Sequence, residues 1–125
     1  MKDFYYRKLD CYQLAKELTI QTYALLKQFP KEEQYALCDQ IRRAAISIPS
    51  NIAEGVGRMS IKERIHFLEV SYASLTELLC QLEISLALSY ISDTDFKQIE
   101  DMATRTAMTI SGLRKSLDDK LQNKQ

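Results

Sequence analysis

A glutamate and the only histidine of the chain are spaced as metal ligands on a helix would be. Glu63 and His66 are three residues apart, the Glu-x-x-His spacing that di-iron carboxylate bundles place on two of their helices. Such a site needs a second copy of the motif and a further glutamate from each remaining helix. The single histidine rules out a second copy within one protomer, and Ser60 with Glu63 forms a capping-box pattern instead. We therefore predict no metal and no cofactor.

Three cysteines are the remaining candidates for nucleophilic chemistry. Cys11, Cys38 and Cys80 are far apart, form no Cys-x-x-Cys pair and have no basic partner nearby in sequence. The glycine pair Gly55 and Gly57 follows no strand and precedes no Lys-Ser/Thr, so it is no phosphate loop. We predict no catalytic residues and no enzymatic activity. An odd number of free thiols favours a reducing, cytoplasmic location.

The chain around its second proline has more polar side chains than an ordinary amphipathic helix. Arg43, Ser47, Asn51, Glu54 and Arg58 recur at helical spacing beside an apolar stripe. One hypothesis is structural: Arg43, Asn51 and Glu54 form a hydrogen-bond network with a neighbouring helix. Ser47 or Ser50 then satisfies the backbone that the proline disturbs.

A second hypothesis for the same region is functional. Its cations form a basic end that contacts nucleic-acid phosphates; they are Arg42, Arg43, Arg58, Lys62 and Arg64. Asp39, Glu54 and Glu63 reduce the local excess to two positive charges. The whole chain has 17 basic and 17 acidic residues, so its formal net charge is zero. Neutrality disfavours a strong nucleic-acid binder but not self-association.

The elements that position these residues are predicted to be four long helices. The 125 residues form one domain, 1–125, and contain only 3 glycines and 2 prolines, too few turn residues for a strand-rich fold. Apolar residues recur at steps of three and four. They define helices at about residues 10–28, 31–56, 60–90 and 94–121. The short connections predict an all-α, antiparallel up-down-up-down four-helix bundle.

The second and third helices carry the most specific predictions. Pro49 lies within the apolar phase of the second helix, which predicts a kinked but continuous helix that ends at Gly57. The third helix has a heptad seam between Ile61 and Tyr90. No apolar run approaches the roughly 18 residues of a membrane span, and the N-terminal residues contain no signal-peptide core. We expect no membrane association.

A resemblance to a known family lies between Arg42 and Gly55, where the chain reads Arg-Arg-Ala-Ala-Ile-Ser-Ile-Pro-Ser-Asn-Ile-Ala-Glu-Gly. With Phe29-Pro30 and Glu33 upstream, this resembles the signature of bacterial four-helix bundle proteins first named for intervening sequences in 23S ribosomal RNA genes. The accessory variability determinant protein of diversity-generating retroelements is similar in fold. That relative is basic and binds nucleic acid and a reverse transcriptase, whereas this chain is neutral.

The resemblance extends over nearly the whole chain and implies a homopentameric ring without catalytic activity. It implies structural or interface roles for the motif residues, which are Arg43, Ser47, Pro49, Asn51, Glu54 and Gly55. Our leading hypothesis is a non-enzymatic, homo-oligomeric scaffold of bacterial origin. The alternative is an accessory protein that binds structured RNA or DNA. A third hypothesis, a role as adapter for a partner protein, has no recognisable motif in the sequence.

Overall fold

The computed structural model describes residues 4–123, and these residues form helices without any strand. The four α-helices are α1 (Asp10–Leu26), α2 (Leu37–Val56), α3 (Ile61–Ala87) and α4 (Asp93–Asn123). Two short 3-10 helices, Tyr5–Lys8 and Lys31–Glu33, precede α1 and α2. The predicted all-α architecture of four long helices is confirmed. None of the helices in this part of the chain combines the length and apolar character needed to cross a membrane.

The helices pack as a square in chain order. Helix α2 lies against α1 and α3, and α4 completes the square by packing against α3 and α1. The connections are short, so consecutive helices run antiparallel. Leu18, Ile48, Leu78 and Ile110, one from each helix, are at most 1% exposed. The apolar stripes read from the sequence therefore face a common core.

Helix α2 begins six residues later than predicted. Residues 31–33 form a 3-10 helix, and Ala36 then has φ −122° and ψ −97°, outside the helical range. The Gln34 side-chain amide donates to the carbonyls of Leu26 and Phe29 at 3.0 and 3.3 Å. It thereby binds the connection to the end of α1, which finishes at Leu26 rather than at residue 28. Side-chain capping of this kind cannot be read from periodicity.

Helix α2 continues through Pro49 to Val56, as the apolar phase predicted. The kink stays a prediction. Gly57 follows the helix with φ −85° and ψ −8°, so α2 ends at the predicted glycine, whose conformation is right-handed.

The ends of α3 are defined by two serines. The Ser60 hydroxyl accepts a hydrogen bond from the Glu63 amide at 3.0 Å, as the capping-box pattern predicted. At the other end Ser89 has φ 65°. The Tyr90 amide donates to the Ser85 carbonyl and the Ser89 amide to the Leu86 carbonyl, both at 2.9 Å. This is a Schellman motif with serine in the glycine position, and it ends α3 at Ala87, three residues earlier than predicted.

Candidate functional site

The proline inside α2 leaves one carbonyl without its usual partner. In a regular helix the amide of residue 49 would donate to the Ala45 carbonyl, but proline has no N–H. The Thr19 hydroxyl on α1 lies 3.0 Å from the Ala45 oxygen and 2.9 Å from the Ala15 oxygen, and its one proton is shared between them. The prediction that Ser47 or Ser50 satisfies this backbone was wrong. The donor comes from the neighbouring helix because Thr19 faces the gap that Pro49 creates.

On the face of α2 that packs against α3, small polar side chains join the two helices. The Asn51 amide donates to the Ser47 carbonyl and hydroxyl, both at 2.8 Å. The Ser47 hydroxyl is 2.8 Å from that of Ser74, and Ser71 donates to the Ile48 carbonyl at 2.8 Å. Of the residues in the structural hypothesis, Asn51 is therefore connected to α3, but only through Ser47, since its own hydrogen bonds stay within α2.

The other two members of that hypothetical network face outward. Arg43 is exposed, and no hydrogen bond or ion pair joins it to another residue of the described part of the chain. Glu54 is also exposed and pairs at 2.6 Å with Arg58, two residues beyond the end of its helix. The hypothesis that Arg43 and Glu54 join a hydrogen-bond network between helices was therefore wrong, because both side chains face solvent.

Gly55 allows a close approach between α2 and α3. A Cβ atom at Gly55 would lie 2.6 Å from the Cβ of Phe67 and 3.4 Å from the Arg64 carbonyl oxygen. No real pair of such atoms approaches to 2.6 Å, so this position tolerates glycine alone unless the helices move apart. Gly55 is thus a structural residue of the α2–α3 pair.

The five cations of the nucleic-acid hypothesis are divided between the two ends of α2. Arg42 is near its start and donates to the Gln34 carbonyl and side-chain oxygens at 3.0 and 2.8 Å and to Asp39 at 2.9 Å. Arg58 follows its last residue, about 24 Å away at 1.5 Å per residue. Arg42 and its neighbour Arg43 are therefore separated from the others.

The remaining three cations lie together where α2 turns into α3. The Arg64 Nε donates to the Arg58 carbonyl at 2.7 Å, and the Arg58 guanidinium lies 4.7 Å from the centre of the Phe67 ring. Lys62 is exposed and is the second residue of α3. These three cations form the one part of the predicted basic region that the fold brings together.

Two apolar faces lie on opposite sides of the bundle. We define the α1–α2 face by residues that line two adjoining grooves of about 540 and 410 Å³, namely Thr19, Ile20, Tyr23, Ile46, Pro49 and Ser50. Ile20 and Ile46 are each 50% exposed. Ile20 and Ile46 thus give this face an exposed apolar surface that a partner could cover.

The α3–α4 face is the second of these surfaces. It lines grooves of about 320 and 500 Å³ and comprises Tyr72, Ala73, Thr76, Leu79, Met108 and Ser111. Met108 is 69% exposed. Gly112 lies in α4, as Met108 does, and a Cβ atom at Gly112 would meet nothing within 4 Å. Because the helices form a square, this face points away from the α1–α2 face.

The residues considered for catalysis stay apart from one another. Cys11 and Cys38 are buried, and burial raises the pKa of each thiol, that of Cys11 to about 11; a nucleophilic thiol needs the opposite shift. Cys80 is exposed. His66 is exposed, and its ring is edge-on to that of Phe67. Within residues 4–123, three or more His, Cys, Asp or Glu side chains nowhere converge as metal ligands would.

Comparison with known proteins gives one family and one fold. A family model described as 23S rRNA-intervening sequence protein matches residues 7–112. A crystal structure of a protein with unknown function, from the S23 ribosomal protein family of Bacteroides thetaiotaomicron, superposes with a TM-score of 0.78. The two chains are 22% identical over 84% of this chain and 95% of that one, which shows a shared fold. No curated protein matches the chain significantly.

Proposed function

The chain belongs to the 23S rRNA-intervening sequence protein family, and from this premise we propose that it is a non-enzymatic scaffold that associates with copies of itself. In the proposed assembly the α1–α2 face of one copy packs against the α3–α4 face of the next. The observation that supports this most directly is the pair of uncovered apolar faces on opposite sides of one bundle.

Two unlike faces favour a particular kind of assembly. A contact between different surfaces of the same chain is heterologous, and it either closes into a ring or continues as a filament. The family resemblance implies a ring of five. The formal net charge of zero leaves little long-range repulsion between copies. Because its three thiols are free, we place the scaffold in the reducing cytoplasm.

Light scattering of the purified protein at tens of micromolar tests the association. We expect a mass of several protomers, five if the family pattern holds. Ile46→Glu places a charge on the α1–α2 face and Met108→Glu on the α3–α4 face, so each variant should be monomeric. Tyr35→Glu is the matched control, because Tyr35 is 90% exposed and lies outside both faces. A monomeric wild-type protein would contradict the proposal.

Mixing the two variants tests the pairing of the faces. The Ile46→Glu chain keeps an intact α3–α4 face, and the Met108→Glu chain keeps an intact α1–α2 face. The mixture should therefore form dimers of one copy of each and nothing larger. If either variant alone forms dimers, one face pairs with itself and the head-to-tail arrangement is wrong.

A second candidate function is nucleic-acid binding at the end of the bundle that contains Arg58, Lys62 and Arg64. Residues 4–10, 54–66 and 114–123 meet at this end and contain eight cations and five anions. The opposite end, residues 27–43 and 83–101, contains five cations and eight anions. Oligomerisation would repeat the positive end and increase its avidity.

Binding of a structured RNA at about 50 mM salt tests this candidate. Lys62→Glu should weaken binding, and Lys97→Glu at the opposite end should not. Arg42 and Arg43 belong to the original hypothesis, so Arg43→Glu tests whether the distant pair contributes. No retention of RNA by the wild-type protein would exclude the candidate.

A further inference from the structure

The grooves of the α1–α2 face are lined by two lysines and, in the part of the chain that the structure describes, by no acidic residue. Lys16 lines the groove of about 410 Å³ and Lys27 that of about 540 Å³. Both are exposed, and within residues 4–123 neither side chain forms an ion pair or a hydrogen bond. Two free cations beside an apolar surface favour a partner that has carboxylates at matching positions.

The α3–α4 face provides two carboxylates, both on α3. Glu69 lines its groove of about 320 Å³. Glu83 lies four residues after Leu79 and seven after Thr76, which line the adjoining groove, so helical spacing puts it on the same stripe of α3. The Glu83 carboxylate is exposed and has no partner among the described residues.

Glu69 keeps an oxygen for a further cation. Its Oε2 atom lies 3.4 Å from the Arg114 guanidinium, and the two side chains are 55% and 43% exposed. An ion pair this long and this exposed contributes little to stability. The Oε1 atom accepts no hydrogen bond from residues 4–123, and an ionised carboxylate accepts from more than one donor.

Hydrogen bonds between helices fix the relative heights of α1 and α3. The Thr19 hydroxyl bonds to the Ala45 carbonyl, and two residues further along α2 the Ser47 hydroxyl bonds to that of Ser74. Ile20, which follows Thr19, therefore lies at about the height of Ser74. We call this height the middle level. Helices α1 and α3 run in the same direction through it, because consecutive helices are antiparallel.

The apolar centres of both faces lie at the middle level. Ile20 and Ile46 line both grooves of the α1–α2 face there. On the α3–α4 face, Tyr72 and Thr76 lie two residues to either side of Ser74. Two copies can therefore bring these centres together without sliding along the bundle axis.

The charges then match only when the two bundles are parallel. Lys16 lies four residues before the middle level and Glu69 five; Lys27 lies seven residues after it and Glu83 nine. At 1.5 Å per residue the mismatches are about 1.5 and 3 Å, which a flexible lysine stem spans. In an inverted neighbour Lys16 would face Glu83 with a mismatch of five residues, about 7.5 Å.

We propose that Lys16 and Lys27 form ion pairs with Glu69 and Glu83 of the next copy and thereby make neighbouring bundles parallel. The partner of the α1–α2 face is thus a second copy of this chain in the same orientation. This inference rests on the proposed self-association and adds the residues that select its register and direction. Such charges act mainly by excluding arrangements that bring like charges together.

Zero-length carbodiimide coupling with peptide mass spectrometry tests the pairs, because it joins an amine to a carboxylate only where the two are in contact. A mixture of unlabelled and isotopically labelled wild-type protein distinguishes couplings between copies from couplings within one. We expect mixed-isotope peptides that join Lys16 to Glu69 and Lys27 to Glu83. Peptides that join Lys16 to Glu83, or no coupling from either lysine, would overturn the proposal.

Charge reversal tests the same pairs by their effect on the dissociation constant of the assembly, measured by light scattering at several concentrations. Lys16→Glu with Lys27→Glu brings carboxylates together and should raise the constant at least about tenfold. Adding Glu69→Lys and Glu83→Lys to the same chain lets opposite charges meet again. The fourfold variant should therefore return to within about threefold of the wild type.

Lys62→Glu with Lys120→Glu is the matched control, since it changes the net charge equally but lies outside both faces; it should leave the constant within about twofold of the wild type. Circular dichroism verifies that each variant is folded. Unchanged assembly of the Lys16 and Lys27 variant, or a fourfold variant that assembles no better than it, overturns the ion pairs while the proposed self-association stands. A monomeric wild-type protein overturns both.

Discussion

At the scale of single residues, the most informative contact joins Thr19 to the helix that contains Pro49. A proline in a helix interior normally leaves a buried carbonyl unsatisfied at a cost of about 3 kcal/mol. Here the threonine hydroxyl of a neighbouring helix supplies the missing donor. The Ala45 carbonyl that Pro49 leaves without an amide partner thus forms a hydrogen bond that joins α2 to α1.

Thr19→Val should destabilise the protein by about 1–2 kcal/mol, because it keeps the side-chain shape and leaves the Ala45 carbonyl without a donor. Thr22→Val is the control, since Thr22 donates only within its own helix, to Leu18 at 2.7 Å; it should cost less than about 1 kcal/mol. Urea denaturation measures both. In a Pro49→Ala background the restored amide should reduce the cost of Thr19→Val. An unchanged cost there would contradict the assigned contact.

The buried thiol of Cys11 should make stability depend on pH. Burial raises its pKa in the folded protein from 9.0 to about 11, so the folded state favours the protonated thiol. Its contribution is complete below pH 9 and is lost as the pH rises towards 11. We expect a loss on the order of 2 kcal/mol over that interval, measured by denaturation at several pH values. Cys11→Ala should flatten this part of the profile, and an equally steep profile in the variant would contradict the assignment.

At the scale of elements, α2 and α3 are held together by small residues. Gly55 faces Phe67, and the serines Ser47, Ser71 and Ser74 form hydrogen bonds across the interface. Short side chains let the two backbones approach closely, and hydroxyls satisfy the polar atoms that this approach buries. Packing between this pair of helices therefore explains Ser47 and Gly55 of the motif, whereas Pro49 is accommodated by α1.

Gly55→Ala and Gly112→Ala form a matched pair of helical substitutions. Both gain up to about 1 kcal/mol of helix propensity. At Gly55 the new methyl group would lie 2.6 Å from the Phe67 Cβ, and the resulting displacement should give a net loss of about 1–2 kcal/mol. At Gly112 nothing lies within 4 Å, so the variant should be more stable by about 0.5–1 kcal/mol. Thermal unfolding of dilute protein measures both, and equal effects would contradict the packing argument.

At the scale of the whole molecule, the bundle has two apolar sides and two oppositely charged ends. In the proposed assembly, contact between copies uses the apolar sides and leaves the positive end uncovered. The two proposed functions therefore use different surfaces of the domain.

Self-association should make the melting temperature depend on protein concentration. Subunits that bind one another only when folded stabilise the folded state by mass action. A hundredfold increase in concentration should therefore raise the Tm by about 5 °C, measured by differential scanning fluorimetry. The Ile46→Glu variant should show no such shift. A wild-type Tm that is constant over this range would contradict the proposed assembly.

Periodicity predicted much of the fold. The all-α architecture, the continuity of α2 through Pro49 and the start of α3 at Ser60 follow from local patterns of apolar and capping residues. The late start of α2 and the early end of α3 did not follow, because they depend on the side chain of Gln34 and on the left-handed Ser89. Such features are set by single contacts that leave no repeat in the sequence.

The candidate site, like the fold, could be predicted from the sequence only in part. The sequence by itself determined that Pro49, Asn51 and Gly55 lie on one helix, whereas its prediction of a single cluster of basic residues was wrong. Only the tertiary structure decided that Thr19 completes the backbone at Pro49 and that Arg42 and Arg58 lie at opposite ends. The physical reason is that periodicity is local to one helix, whereas contacts between helices depend on how each helix is rotated and shifted against its neighbours.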